Sequence, residues 1–316
     1  MSEIPKPKTS IVHTELIVQG DESSRISSLI FFLLCLIPVF STVIFGAVDN
    51  ATWVFILIFW ALIIVLWLAE AWRTDGLLIN SSSLQLPVIG FLLIGIIQLL
   101  PLSGVGGGEV LGIPVSQALS VDPYSTRFFL IKLVVYAVFF SACLAFINQE
   151  RRFKKVVLMI VIFGAFMAFF GILQRLANPD GIYGIRSTPH AIPFGPLVNQ
   201  HHFASFMQMT GGVTLGLLFG KTTEKDKKIL LGIGVVIMGV ATVFTSSRGG
   251  LLGFAAVLAF VTLLKFLSGR WSGSGKTESK SVGLKRKIAI AAGGVAMVVV
   301  VFGIVIFLGG DDSLLR

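Results

Sequence analysis

Residues 288–308 read IAIAAGGVAMVVVVFGIVIFL, an unbroken apolar run without a charge. A helix needs about 20 such residues to cross a hydrocarbon core about 30 Å thick. The run reads as a membrane span and sets the scale for the rest of the chain. Eight further stretches fit that scale: 29–48, 51–70, 84–102, 126–147, 156–174, 203–220, 229–246 and 250–267. The least apolar is 203–220, which carries Gln208, Thr210 and the pair Gly211-Gly212. Lipid offers the backbone no hydrogen-bond partner, so each stretch is expected to be helical. The expected fold is an all-α, polytopic integral membrane bundle of about nine spans over residues 29–308.

Composition agrees. Of 316 residues, 55% are hydrophobic and only 13% charged, against about 25% charged in a soluble domain. The mean hydropathy of +0.91 excludes a soluble globular enzyme, a disordered chain and a coiled coil. Residues 1–28 form a polar tail. It lacks a basic segment running directly into a short apolar one, so no cleaved signal peptide is expected. Cys35 and Cys143 lie in apolar runs with no C-x-x-C partner, which reads as core packing rather than a disulfide framework or a thiolate metal site.

The net charge of +9 reads as a topology signal. With the N-terminus in the cytoplasm, the inside segments hold all of the 25 lysines and arginines except Arg127, Lys132, Arg175, Arg186, Arg248 and Arg316. The reverse orientation would export nearly all of the positive charge, against the usual bias. Nucleic-acid binding is not expected. The arrangement leaves two long extracytoplasmic loops, 103–125 and 175–202, and an extracytoplasmic end at 309–316. The cytoplasmic loop 268–287 is rich in Gly, Ser and Lys and reads as a flexible linker.

Loop 175–202 gathers Arg175, Asp180, Tyr183, Arg186, His190, Asn199, Gln200, His201 and His202. Such a loop beside a bilayer is either a site or a solvated connector. Adjacent histidines on a helix diverge by about 100° and do not converge on a metal; with no i, i+4 or thiolate partner, no metal site is expected. Asn199 is placed to cap the helix that follows. Arg248 stands in Ser246-Ser247-Arg248-Gly249-Gly250 between two apolar runs. An arginine near lipid either serves a ligand or snorkels. Its planar fork suits a diphosphate, and the neighbouring glycines would let a headgroup approach backbone N–H groups.

Lys132 either faces a water-filled cavity or marks a shorter span, and Lys265 snorkels. No carboxylate falls deep in a span, Glu70 sitting at an inner end, which counts against proton-coupled transport. Two glycine-rich runs are not phosphate loops. The first, Gly104-Val105-Gly106-Gly107-Gly108, has no strand before it and no helix after it. The second, Gly273-Ser274-Gly275-Lys276-Thr277, has Arg270 where the first glycine belongs.

Four segments carry a family resemblance: Leu119-Ser120-Val121-Asp122-Pro123-Tyr124-Ser125-Thr126; Leu173-Gln174-Arg175; Phe194-Gly195-Pro196-Leu197-Val198-Asn199-Gln200-His201-His202-Phe203-Ala204; and Thr245-Ser246-Ser247-Arg248-Gly249-Gly250. In order and spacing they resemble the O-antigen ligase and polymerase superfamily of bacterial inner-membrane proteins, from about residue 85 onward. The third looks like that family's Asn-x-x-His-Phe-Ala segment and the fourth like its Ser-Arg-Gly turn. The resemblance implies a helical bundle similar to the lipid-carrier (GT-C-like) glycosyltransferases. It implies transfer of a glycan from undecaprenyl diphosphate to a hydroxyl on lipid A-core, a polysaccharide or a protein, with no cofactor and no metal. It places His202 and Arg248 in catalytic roles and Arg175, Arg186, Asn199, Arg248 and Arg316 at the carrier and glycan. In the family a large outside loop with a further arginine and a base histidine follows the span equivalent to 288–308. Residues 309–316 look like its start, so the chain is expected to stop short of it. The alternatives are a glycan or lipid transporter, or a catalytically inactive partner of a polysaccharide-export complex.

Overall fold

The computed structural model describes residues 24–102, 109–110, 113–114, 117–177, 181–189, 191–220 and 223–271. The span read at 288–308, residues 272–287 of the linker read at 268–287, nearly all of the polar tail and residues 309–316 lie outside the described residues, as do both glycine-rich runs; the linker's first residues, 268–271, are helical rather than a flexible linker.

The chain is mostly helical. Its helices are α1 (Arg25–Val43), α2 (Asn50–Arg73), α3 (Leu86–Leu99), α4 (Pro123–Phe146), α5 (Glu150–Ala177), α6 (Gln200–Phe219), α7 (Lys225–Phe244) and α8 (Arg248–Trp271). Six are long and apolar enough to cross a membrane: α1, α2, α4, α5, α7 and the Arg248–Lys265 part of α8. With its leading 3-10 turn, α3 is apolar but shorter (Ser83–Leu99). α6 has the length of a span but carries Gln200, His201, His202, Ser205, Gln208, Thr210 and Thr214. The helices leave large apolar side chains exposed, among them Phe55, Ile58 and Val65 on α2 and Phe128 and Ile131 on α4. In water such surfaces would aggregate; against acyl chains they are at rest.

Among the described residues, strands are confined to the long loops. Each long loop contains a small antiparallel hairpin: β1 (Glu109–Val110) with β2 (Ile113–Pro114), and β3 (Gly181–Ile182) with β4 (Arg186–Ser187). Turn chemistry, not hydropathy, sets these elements, so a span-by-span reading passes over them.

Caps fix several helix starts. The Asp122 carboxylate accepts from the Ser125 N–H at 3.1 Å, ahead of Pro123 in the first turn of α4. Pro38 interrupts the ladder of α1, and the Ser41 and Thr42 hydroxyls donate to its carbonyl at 3.0 and 2.8 Å.

Two compact units divide the chain. The first comprises α1 up to Ile37, α2 from Val54, and the chain from there to Phe153. Its core packs Ile30, Leu33, Leu34 and Ile37 with Ile63, Ala142, Ala145 and Phe146. Its α2–α3 connection is fastened by Asn80, whose amide donates to the Leu144 carbonyl at 3.1 Å. The second unit comprises residues 38–53 and the chain from Lys154 onward. Its core joins Met167, Ala168, Phe194, Phe203, Met207, Met238, Ala241 and Phe254. The candidate site lies on this second unit.

Candidate functional site

The loop after α5 is held by Gln174, one turn from that helix's end. Its amide donates to the carbonyls of Gly181 at 3.0 Å and Gly195 at 2.9 Å. One side chain thus ties two separate turns of the loop to α5. The first is the tip of the β3–β4 hairpin, where Tyr183 and Gly184 both have positive φ (55° and 72°) and Ile185 N–H donates to the Ile182 carbonyl at 3.1 Å. That pairing of angles belongs to the I′ hairpin turn. The second is Phe194-Gly195-Pro196-Leu197, closed by reciprocal backbone bonds between Phe194 and Leu197 at 3.0 and 3.2 Å. Gly195 has φ 55° there, and a Cβ on it would stand 2.9 Å from Phe203. Ile182, Phe194 and Pro196 are buried. The segment is therefore a packed structure, not a solvated connector.

The hairpin is clamped to the α1–α2 connection. Arg186 makes a two-pronged ion pair with Asp49, one arm measuring 3.0 Å, and its guanidinium lies 4.7 Å from the centre of the Phe45 ring. Tyr183 donates its hydroxyl to the Val43 carbonyl at 2.7 Å and meets the rings of Phe45 and Phe170. Partial burial of the phenol raises its pKa above the ordinary tyrosine value, keeping the donor protonated. The connection has an unusual backbone: Phe45, Gly46 and Ala47 have φ of 52°, 69° and 55°. Left-handed geometry costs an L-residue about 1–2 kcal/mol. Gly46 is required at the centre, because a Cβ there would stand 2.8 Å from Leu197.

The loop delivers the chain into α6. Asn199 caps that helix as its position predicted, its side-chain oxygen accepting from the His201 N–H at 2.8 Å. The start of α8 stands beside it. Ser246 takes φ 53°, turning the chain so that Ser247 caps α8 by accepting from the Gly250 N–H at 3.1 Å. The same Ser247 hydroxyl lies 2.8 Å from His201 Nδ1. Along the seam a Cβ on Gly250 would stand 2.5 Å from that of Ala204, and one on Gly253 would stand 2.6 Å from Gln208. Gln208 donates to the Gly250 carbonyl at 3.0 Å. Small residues let the backbones approach, and a polar bond locks the register.

These contacts bring together two of the segments singled out in the sequence, 199–204 and 245–250. His202 and Arg248 are both exposed at the first turns of α6 and α8. Arg175 is half-buried on the last turn of α5. Arg186 has its fork occupied by Asp49. Arg316, His190 and Asp180 lie outside the described residues. Sequence reasoning passed over the roles of Gln174, His201 and Ser247. Only the quoted segments marked their neighbourhood. Among the described residues no three His, Cys, Asp or Glu side chains come close enough to hold a metal ion together.

No family model, no curated protein and no solved structure matches this chain.

Proposed function

We propose that the chain is a membrane glycosyltransferase of the O-antigen ligase and polymerase kind. It would move a glycan from undecaprenyl diphosphate to a hydroxyl on lipid A-core, a polysaccharide or a protein, at the outer face of a bacterial inner membrane. On this reading the chain has about nine spans in a lipid-carrier bundle, its N-terminus in the cytoplasm and residues 309–316 outside.

One observation carries the reading. The Asn-x-x-His-Phe-Ala segment and the Ser-Arg-Gly turn lie more than 40 residues apart, yet they meet through His201 and Ser247 at 2.8 Å. Arg248 is thereby exposed at the first position of a helix, where backbone N–H groups and the helix dipole both favour an anion. In the transfer, the bond from the sugar's anomeric carbon to the diphosphate breaks and a bond to the acceptor oxygen forms. The acceptor proton leaves to a base, and the departing diphosphate gains charge. A guanidinium fixed beside that charge stabilises it. His202, on the first turn of α6, is the histidine this reading puts at the acceptor hydroxyl. Arg186, already engaged by Asp49, secures the loop that frames the donor.

The test is Arg248→Ala in cells, with membrane insertion followed alongside surface polysaccharide. Loss of a charge-stabilising donor costs about 100- to 1,000-fold in rate, so polymer should disappear while the protein still inserts. Wild-type polymer would overturn the assignment.

A further inference from the structure

We propose that His201, rather than only its neighbour His202, is a positioning residue: through Ser247 it fixes the first turn of α8 against α6 and so sets where Arg248 stands. The proposal rests on the diphosphate reading of Arg248 given above.

The geometry is specific. On α6, residues 201, 204, 208 and 211 fall on one helical face. Each meets α8. His201 Nδ1 lies 2.8 Å from Ser247 Oγ. Ala204 presses on Gly250, Gln208 bonds the Gly250 carbonyl, and a Cβ on Gly211 would stand 2.7 Å from Phe254. The His201–Ser247 bond lies at the end of this seam where Arg248 begins. His202, rotated by about 100° from it, leaves the seam and faces outward.

Ser247 is not suited to be a nucleophile that His201 would activate. It is 2% exposed, and its oxygen already accepts from the Gly250 N–H as the cap of α8. Its hydroxyl therefore couples two structures. One is the cap that defines where α8 starts, and the other is the imidazole that defines where the α6 end lies. An arginine at the first helical position inherits its origin from that cap, and misplacing a binding group by about 1 Å costs up to about 100-fold.

Two readouts on the full chain in nanodiscs test this, with farnesyl diphosphate as the binding probe and farnesyl monophosphate as its control. The first is hydrogen exchange at Gly250 and Leu251, whose N–H groups bond Ser247 and which report the first turn of α8 without any assay of function. His201→Ala should speed it about fivefold, the weight of one hydrogen bond. Asn places an amide near the position of Nδ1, so His201→Asn should restore the wild-type rate, and His202→Ala should leave it unchanged. The second readout is the Kd for the diphosphate, which His201→Ala should raise about tenfold and His201→Asn should restore. Wild-type exchange in His201→Ala, or a His201→Asn variant that behaves as His201→Ala, overturns the proposal. Should no variant bind the diphosphate while the exchange pattern holds, the clasp stands and the diphosphate reading falls.

Discussion

Replacing Gln174 should release the loop between α5 and α6 while leaving the helices intact. Its amide nitrogen makes two bonds, to Gly181 O at 3.0 Å and Gly195 O at 2.9 Å, and its oxygen accepts a longer one from the Tyr183 N–H at 3.5 Å. A neutral hydrogen bond contributes about 0.5–1.5 kcal/mol, so Gln174→Leu, which keeps the packing volume, should cost the loop about 1–3 kcal/mol. That free energy corresponds to roughly 5- to 150-fold faster opening. The assay is amide exchange at Ile185, Phe194, Leu197 and Gln200, whose N–H groups are all bonded inside the loop. These amides report local opening rather than global unfolding. Gln174→Glu is the sharper variant. It keeps the shape but faces two carbonyls with an oxygen acceptor, so it should open the loop further than Gln174→Leu does. Equal exchange in Gln174→Leu and wild type, or a smaller effect of Gln174→Glu than of Gln174→Leu, would refute the reasoning.

Three further outcomes are expected. Arg186→Asp should loosen the hairpin, and the swap Arg186→Asp with Asp49→Arg should restore it; the pair is partly exposed (26% and 42%), so about 1 kcal/mol or less is at stake, read by the same exchange assay. Gly171→Ala should destabilise the second unit by about 1–3 kcal/mol, because its Cβ would meet Phe194 at 2.7 Å and Phe203 at 2.9 Å. Gly216→Ala, with nothing within 4 Å, should be neutral or stabilising by up to about 1 kcal/mol; thermal unfolding in detergent separates the two. The Ser125 hydroxyl and N–H hold the Asp122 carboxyl below its ordinary value, so the cap's contribution is present above the ordinary carboxylate range and fades as pH falls through the lowered value. The protection factor at Ser125, taken against the unstructured rate at the same pH, should therefore fall in acid, and Asp122→Asn should abolish that fall.

Hydropathy made the helices legible because lipid imposes one rule on every span: apolar length. It also located α6 despite Gln208 and Thr210, whose polar groups turn out to be satisfied by Gly250 O and Phe206 O. Local capping rules found Asn199, since a cap needs only its own first turn. The site was legible as two neighbourhoods but not as a geometry. The Arg186–Asp49 pair joins residues 137 apart, and no local pattern reports such a partner. The choice between His201 and His202 depends on which face of α6 meets α8, and a sequence leaves that open when both flanks are apolar. The left-handed run at Phe45–Ala47 was illegible for another reason. Phe and Ala have no preference for that conformation, so only the surrounding contacts, Arg186 over Phe45 among them, account for it.

The two flanks of α6 have different implications for how the chain is assembled. Toward α7 its threonines are self-sufficient: Thr210 donates to Phe206 O, Thr214 to Thr210 O, and across the boundary Thr242 to Met238 O. A helix with its hydroxyls returned to its own backbone brings no polar debt into lipid. The contact between α6 and α7 therefore leaves none of these hydroxyls waiting on the other helix. Toward α8 the case is reversed, because the bond between Gln208 and the Gly250 carbonyl forms only once α8 has arrived. The polar order of this seam is thus a property of the assembled pair and not of α6 alone.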